Sequence, residues 1–354
     1  MNVFVFDIET IPDIDGCRRI HDLHGLSDDD VARAVFQLRR QQSGTDFLRH
    51  HLHRIVAISA VLRTRDQFKV WSLGDIDSNE QELLQRFFSG IERYTPRLVS
   101  WNGSGFDLPV IHYRSLLYPI NAAHYWENGQ NDSSFRYNNY RSRFHERHTD
   151  LMDVLAAFQP RASAPLDQIA GLCGFPGKMG MSGAKVWDAY QQGQIGDIRD
   201  YCETDVLNTY LVYLNFERSR GNLDQTQYRA ECDLVRENLK ASELPHLREF
   251  EAAWIDAEIF SKRHQVFREF LLPNIGGGQV DADLDAAVEE APIVEQVVGD
   301  AIQYPFADLL DDARLFRLLD KITGRTLPEK RMIPSQQCFD TDNLPAYRVV
   351  LRLV

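Results

Sequence analysis

The sequence predicts a mixed β-sheet covered by helices, the architecture of an α/β or an α+β protein. Strand-like segments occur at residues 3–8, 54–63, 68–73 and 97–101, and helical patterns dominate the chain after residue 101. With 354 residues and 44% hydrophobic content, the chain can bury one sizeable core and has room for a second, smaller one. We therefore expect a globular protein whose strands come first and whose helices follow.

The first strand lies in NVFVFDIET (residues 2–10), which is apolar on both faces and then ends in two acids. Asp7 and Glu9 alternate along the strand, so their side chains share a face and lie roughly 6 to 7 Å apart along it. Two such carboxylates at the end of a buried strand repel each other and lack water, so they need a cation or a bound proton. An exposed strand end with two solvated acids is the alternative.

The later elements are predicted from periodicity and capping residues. Residues 79–94, between the third and fourth strands, form a helical pattern with Ser78 as its N-cap. Further helices are predicted at residues 106–117, 165–173, 184–192, 195–216, 227–240 and 244–254. Residues 121–134 are polar and irregular, which indicates a surface insertion.

A second acidic position follows the fourth strand, in SWNGSGFDLP (residues 100–109). Gly103 and Gly105 permit a tight turn, and Asp107 opens the next helix. Asp107 is either a helix N-cap and nothing more, or a site residue, because sites in open sheets are built where strands lead into helices. Asp150 and Asp153 are explained in the same two ways.

The third position lies in the long helix, where Tyr201 and Asp205 share a face because they are four residues apart. This face is opposite to the apolar stripe of the same helix, which contains Val206, Leu207, Tyr210, Leu211 and Leu214. A solvated helix face is the alternative to a functional pair. Together the three elements offer hard oxygen ligands, which suit Mg²⁺ or Mn²⁺ better than zinc, and four carboxylates suffice for two such ions.

These three motifs resemble a known family. FDIET (residues 6–10), Asn-x-x-x-Phe-Asp (residues 102–107) and Tyr-x-x-x-Asp (residues 201–205) resemble, in order and spacing, the exonuclease motifs of the DEDD superfamily of 3'-5' exonucleases, in its DEDDy branch. More narrowly, the chain is similar to the stand-alone predicted exonucleases related to the proofreading domain of family B DNA polymerases. The resemblance implies a ribonuclease H-like fold, with a mixed five-stranded sheet flanked by helices and additional C-terminal helices.

The resemblance also implies hydrolysis of phosphodiester bonds with two Mg²⁺ or Mn²⁺ ions per site. Asp7 would bridge the two ions, Glu9 and Asp205 would complete the site of the ion that activates water, and Asp107 would hold the other. Tyr201 would orient the attacking water. In such a mechanism one ion generates the nucleophile and its partner stabilises the departing 3' oxygen.

Further residues are assigned to substrate binding. Thr10, Asn102 and Phe106 occupy motif positions, and the resemblance implies that they contact the terminal nucleotide, although a turn-stabilising hydrogen bond is an equal explanation of Thr10 and Asn102. A lysine that precedes the third motif often assists in this family. Lys185 and Lys178 both suit this role, and the spacing does not decide between them.

The most basic segment, FRYNNYRSRFHERH (residues 135–148), alternates arginines with aromatic residues. Single-stranded nucleic acid is bound by cations that contact its phosphates and rings that stack on its bases. Arg141 and Arg143 are therefore predicted to contact the substrate. A surface hairpin whose rings are turned inward is the alternative.

Residues 1–254 are predicted to form the exonuclease domain, with its core in residues 1–220, and residues 255–354 an uncharacterised, helical C-terminal region. The net charge of −13 divides into −4 for residues 1–220 and −9 for residues 221–354, so the C-terminal region is a poor candidate for contact with nucleic acid. The five scattered cysteines, and the lack of a membrane span or signal-peptide pattern, favour a cytoplasmic protein with reduced thiols and no membrane contact.

The sequence thus predicts a 3'-5' exonuclease that acts on single-stranded DNA or frayed 3' ends and releases nucleoside monophosphates. An exoribonuclease of the same fold is the first alternative, because the motifs do not report the sugar. A catalytically inactive nucleic-acid-binding module is the second. All four acids and Tyr201 are present, which argues against a lost activity.

Overall fold

The computed structural model describes residues 2–266, with side chains described as far as residue 257. Most of the predicted C-terminal region therefore lies outside the described residues. The sheet has five strands: β1 (Val3–Pro12), β2 (His53–Arg63), β3 (Phe68–Ser72), β4 (Arg97–Ser100) and β5 (His148–Asp150). The predicted α/β fold of ribonuclease H-like type, with a mixed five-stranded sheet flanked by helices, is confirmed.

The strand order is β3-β2-β1-β4-β5, which places β1 at the centre of the sheet. β1 pairs antiparallel with β2 and parallel with β4, and β4 in turn pairs parallel with β5. Because neighbouring side chains along a strand point to opposite faces, β1 is buried on both sides. Its last residues, including Asp7 and Glu9, extend beyond the end of the pairing with β4, which stops at Val5.

Eleven α-helices are found within residues 2–266. Their bounds are α1 (Ile14–His21), α2 (Asp28–Ser43), α3 (Glu80–Tyr94), α4 (Asp107–Ser115), α5 (Ala123–Trp126), α6 (Leu151–Leu155), α7 (Leu166–Leu172), α8 (Val186–Gln191), α9 (Ile195–Ser219), α10 (Gln225–Ala241) and α11 (Pro245–Val266). Helices α3, α4 and α5 pack against one face of the sheet, with Phe4, Phe6 and Ile8 of β1. Helices α7, α9, α10 and α11 cover the opposite face, with Val5.

Several predicted boundaries are corrected by the structure. The N-cap of α3 is Asn79, whose side chain accepts from the Glu82 amide at 3.0 Å, whereas the Ser78 hydroxyl accepts from the Asp75 amide. The predicted helix at residues 184–192 is shorter and begins after a 3₁₀ turn. The segment at residues 121–134, predicted to be irregular, contains α5, and its Tyr125 is 1% exposed and stacks on Tyr140. It therefore contributes to the core.

The longest helix, α9, presents its apolar stripe to the sheet as predicted, and all five residues of that stripe are buried. The predicted domain boundary after residue 254 falls within α11, and the division into domains stays a prediction. No helix within residues 2–266 has both the length and the apolar character needed to cross a membrane.

Candidate active site

The four predicted acids come from three elements that meet beside the central strand. Asp7 and Glu9 lie on β1, Asp107 is the first residue of α4, and Asp205 lies on α9. The Ile8 amide donates to Asp107 Oδ1 at 3.2 Å, which fixes the start of α4 against β1. The N-cap of α4 is Phe106, and the Asp107 carboxylate faces the strand. The alternative interpretation, that Asp107 is only a helix N-cap, is therefore wrong.

Burial acts on all four carboxyl groups, and repulsion by the other acids of the group acts on Asp7 and Glu9. Glu9 is 7% and Asp107 3% exposed, whereas Asp7 and Asp205 are half-buried. Burial first, and then the charges of its three neighbours, raise the pKa of Asp7 well above its usual value. Burial, Asp205 and Asp107 do the same to the pKa of Glu9. These pKa shifts show that the four groups act on one another electrostatically, as a single cluster.

The remaining two acids are less strongly perturbed. Burial raises the pKa of Asp107 to about 7, against the opposing effect of the hydrogen bonds that its carboxyl group makes. One of these bonds comes from the Ile8 amide. Burial also raises the pKa of Asp205 to about 6, while the hydroxyl of Tyr201 and the charge of Lys178 lower it.

Tyr201 lies next to Asp205, as their spacing in the helix predicts. Its phenol is half-buried, and burial together with the charges of Asp205, Glu9 and Asp7 raises its pKa far above the usual value. The phenol therefore remains protonated over the whole physiological range. It can donate a hydrogen bond to an oxygen in the site, but it cannot serve as a base.

Cys202, which the sequence analysis did not assign, lies directly behind the two acids of β1. Its thiol is fully buried and contacts Asp7, with Sγ 3.5 Å from the backbone oxygen and 3.6 Å from Oδ2. Ligand atoms of Cys202, Asp7 and Glu9 all lie within 4.8 Å of one another. Burial and the charges of the two acids raise the pKa of the thiol well above its usual value, so it supports Asp7 as a neutral donor.

Behind Cys202 a series of buried polar groups leads away from the site. Ser59 contacts Cys202 and, at 2.8 Å, the hydroxyl of Ser72, which donates to Glu203 at 2.7 Å. Glu203 in turn bonds His246 of α11 at 2.9 Å. These contacts join β1, β2, β3, α9 and α11. No local sequence pattern connects them, because they come together only through the sheet.

The turn that carries Asn102 is held from two sides. Asp150 is the N-cap of α6, which is one of the two roles predicted for it. Its carboxylate also accepts hydrogen bonds from the amides of Asn102 and Ser104 at 2.9 and 2.8 Å. On the other side His50 Nε2 bonds the carbonyl of Gly105 at 2.9 Å. Asn102 itself has a φ of 63°, a left-handed conformation that asparagine tolerates. Asp150 is thus a positioning residue for the loop before Asp107.

Thr10 and Phe106 lie on the same side of the site, joined by His53. Thr10 Oγ1 and His53 Nδ1 are 2.9 Å apart, and the rings of His53 and Phe106 are 5.1 Å apart. Burial lowers the pKa of His53 to about 4, so this histidine is neutral. Phe47, which is 53% exposed, completes the ring cluster at 5.3 Å from Phe106. An apolar wall therefore stands beside Thr10.

The two candidate lysines differ in their position. Both side chains are exposed. The charge of Lys178 lowers the pKa of Asp205, which brings Lys178 within electrostatic reach of the cluster. Lys185 ends the 3₁₀ turn before α8. The structure therefore favours Lys178 over Lys185 as the lysine that assists the third motif. The spacing in the sequence did not decide between them.

The basic segment at residues 135–148 has features of both predicted alternatives, because some of its rings are turned inward and others are exposed. Phe135 and Tyr140 are each 1% exposed and turned inward, whereas Tyr137 and Phe144 are 82% and 79% exposed. Arg141 and Arg143 are both exposed. Arg141 lies over the ring of Trp126, at 5.7 Å from its centroid, so the two arginines have different surroundings.

The donor set fits a hard divalent cation. Carboxylate oxygens are the ligands that Mg²⁺ and Mn²⁺ prefer, and burying several like charges together is favourable only when a cation or protons compensate them. Among the side chains of residues 2–257, no arginine or lysine comes within ion-pair distance of the four carboxylates.

Comparison with protein families agrees with this geometry. A family model described as "Predicted 3'-5' exonuclease related to the exonuclease domain of PolB" matches residues 45–254, which is more than half of the chain. The matched range includes Asp107, Tyr201 and Asp205, while Asp7 and Glu9 precede it. A search of curated proteins finds no significant match. The predicted resemblance is confirmed, and the chain belongs to the family of predicted 3'-5' exonucleases related to the PolB exonuclease domain.

Proposed function

We propose that this protein is a divalent-metal-dependent 3'-5' exonuclease that acts on single-stranded DNA or frayed 3' ends. One observation carries the proposal: four carboxylates from three separate elements converge beside β1, and no arginine or lysine side chain of residues 2–257 pairs with them. Family membership supports the reaction class, since a nuclease domain implies a nucleic-acid substrate.

In this proposal the acids hold two Mg²⁺ or Mn²⁺ ions. Asp7 lies at the centre, because the charges of Asp107, Glu9 and Asp205 all act on it, and it is the residue best placed to be shared. Glu9 and Asp205 would hold one ion, and Asp107 would hold the other. When bound, such ions supply a nucleophilic hydroxide and stabilise the charge that develops on the leaving 3' oxygen.

The other side chains bind and orient. Tyr201 remains protonated, so its hydroxyl donates a hydrogen bond that positions the attacking water. Lys178 supplies positive charge on the Asp205 side. Thr10, Asn102 and Phe106 receive the terminal nucleotide, with the ring of Phe106 as an apolar surface for its base. Lys185 has no described contact with the acids and is assigned no role.

A degradation assay tests this function. DNA and RNA oligonucleotides carrying a 5' label are incubated with the protein in Mg²⁺, in Mn²⁺ and in chelator. We expect stepwise shortening of DNA from the 3' end, abolished by chelator. Asp7→Ala and Asp205→Ala should each lower the rate by roughly 10³-fold or more, as is usual when one member of a catalytic unit is removed. Asp188→Ala, an exposed acid of α8, is the matched control and should retain the wild-type rate.

The outcomes separate the rival functions. Shortening of RNA in preference to DNA makes the protein an exoribonuclease with the same metal site. Binding without shortening under either metal makes it a nucleic-acid-binding module. Activity that survives chelator or the Asp7→Ala change overturns the metal-dependent mechanism.

A further inference from the structure

Arg143 lies between two aromatic rings at the surface. Its guanidinium carbon is 5.5 Å from the ring centroid of Phe144 and 4.5 Å from that of Phe158. The two rings are 6.1 Å apart, and Phe144 is 79% exposed. Among the side chains of residues 2–257 the guanidinium has no hydrogen-bond or ion-pair partner. Both its charge and the face of Phe144 are therefore open to a ligand. We call these three residues the Arg143 platform.

The backbone that presents Phe158 is strained. Ala157 and Phe158 have φ angles of 49° and 58°, in the left-handed region that is unfavourable for residues with a side chain. The turn is closed by a hydrogen bond of 2.7 Å from the Phe158 amide to the carbonyl of Asp153. Strain of this kind persists where surrounding contacts impose it, and it is concentrated at functional sites. Here it directs an aromatic ring to Arg143.

The Arg143 platform is connected to the candidate active site through α6. Phe158 of the platform donates to the Asp153 carbonyl, and the Asp153 amide donates to the Asp150 carboxylate at 3.4 Å. The Asp150 carboxylate also holds the Asn102 turn, which leads directly into Asp107. The Arg143 platform therefore lies on the Asp107 side of the four acids.

A cation next to an exposed ring is the combination that holds single-stranded nucleic acid, because the cation binds phosphate and the ring stacks on a base. We propose that the Arg143 platform binds a nucleotide of the single strand upstream of the scissile bond, with its phosphate on the guanidinium and its base on Phe144. This inference rests on the proposed exonuclease function and extends it to the path of the strand.

Arg141 provides a matched control from the same segment. It is exposed like Arg143, but it lies over Trp126, and its charge acts on His112 and Tyr125. A general attraction of basic residues for a polyanion would involve both arginines equally. A bound strand that follows the Arg143 platform depends on Arg143 and not on Arg141.

The test compares Arg143→Ala and Phe144→Ala with Arg141→Ala. Binding of a labelled oligothymidylate of about twelve nucleotides is measured by fluorescence anisotropy in chelator, over a range of salt concentrations. We expect Arg143→Ala and Phe144→Ala to weaken binding by about 10-fold, and Arg141→Ala by less than about 2-fold. Of the two arginine variants, only Arg143→Ala should reduce the slope of log affinity against log salt concentration, by about 0.7. An oligouridylate arm reports whether the sugar matters.

A second measurement uses the length of the substrate. In this proposal the Arg143 platform binds a nucleotide beyond the two that flank the scissile bond, so Arg143→Ala should leave cleavage of a thymidine dinucleotide unchanged while raising KM for the longer strand. Equal losses for Arg141→Ala and Arg143→Ala, or no loss for either, overturn the inference. If the wild type binds through Arg143 but shortens no strand, the proposed exonuclease function fails and the platform stands. If it shortens strands without dependence on Arg143 or Phe144, the platform fails alone.

Discussion

Two groups of acids in this protein differ in whether a cationic side chain compensates their charge. The first is the Arg114 cluster, which we define as Arg114, Glu80 and Asp13. Arg114 Nε and Nη2 contact Glu80 at 2.8 and 2.6 Å, and Nη1 contacts Asp13. Arg114 is 3% exposed, Glu80 7% and Asp13 9%. The second group is the four acids of the candidate active site, of which Glu9 and Asp107 are buried and Asp7 and Asp205 half-buried, and which have no such partner among the side chains of residues 2–257.

Both groups share a helix, because α4 carries Asp107 at its first residue and Arg114 near its end. In the Arg114 cluster, burial acts to lower the pKa of the guanidinium, and the bonds and charges of Glu80 and Asp13 outweigh it and raise the pKa. In the active-site group, burial and repulsion raise the pKa values of all four acids. Where the chain supplies its own cation the acids serve the fold. Where the described side chains supply none, we propose that the acids bind a cation from solution.

The largest expected effect concerns Arg114. Arg114→Met leaves the buried carboxylates of Glu80 and Asp13 without a cationic partner, so the free energy of unfolding should fall by about 3–5 kcal/mol. Urea denaturation followed by circular dichroism measures this change. Arg33→Met, which breaks an exposed pair with Asp30 on α2, is the control and should have little effect. Similar losses in the two variants would contradict the distinction between the two groups.

The next effect concerns the active-site group. Mg²⁺ or Mn²⁺ should raise the melting temperature of the wild type, corresponding to about 2.7 kcal/mol of stabilisation at a cation concentration of about 100 times Kd. Asp7→Asn should lose this response and, without cation, melt no lower than the wild type, because it removes a repelling charge. Glu80→Gln should keep the response. A cation-induced shift that survives in Asp7→Asn would place the ion elsewhere.

The smallest expected effect concerns His246, whose charge depends on pH. Burial acts to lower the pKa of His246, but its bonds with Asp200 and Glu203 outweigh this and raise the pKa from 6.5 to about 9. The stabilisation is therefore complete below pH 6.5 and is lost as the pH rises to about 9. Unfolding of wild type and His246→Gln should differ by about 1 kcal/mol after solvent screening, and only at the lower pH. If the difference in the free energy of unfolding grew with pH, the result would contradict this prediction.

The sequence predicted the features that depend on local spacing. The alternation of Asp7 and Glu9 along an apolar strand placed both on one face, and the four-residue spacing of Tyr201 and Asp205 placed them on one face of α9. The order of the motifs then indicated that these faces meet. Four of the five strands were predicted from strand-like segments of the sequence. The fifth, β5, has only three residues, too few for its alternation to be recognised.

Other features depended on tertiary structure because their parts lie far apart in the chain. Cys202 stands in a helix of mixed residues, and only the contact of α9 with β1 places its thiol against Asp7. Asp150 has an ordinary capping role in α6, and only the pairing of β5 with β4 brings its carboxylate to the Asn102 turn. Arg141 and Arg143 have equal standing in the sequence, and the fold gives them different neighbours.

The sequence by itself determined which residue types share a face, since the repeats of strands and helices are local and nearly independent of the rest of the fold. Only the tertiary structure decided which buried acids find a cation within the chain. Arg114 reaches Glu80 and Asp13 from 34 and 101 residues away. Whether a carboxylate is paired depends on such contacts, because charge–charge energies follow distances in space, and distance along the chain does not predict these.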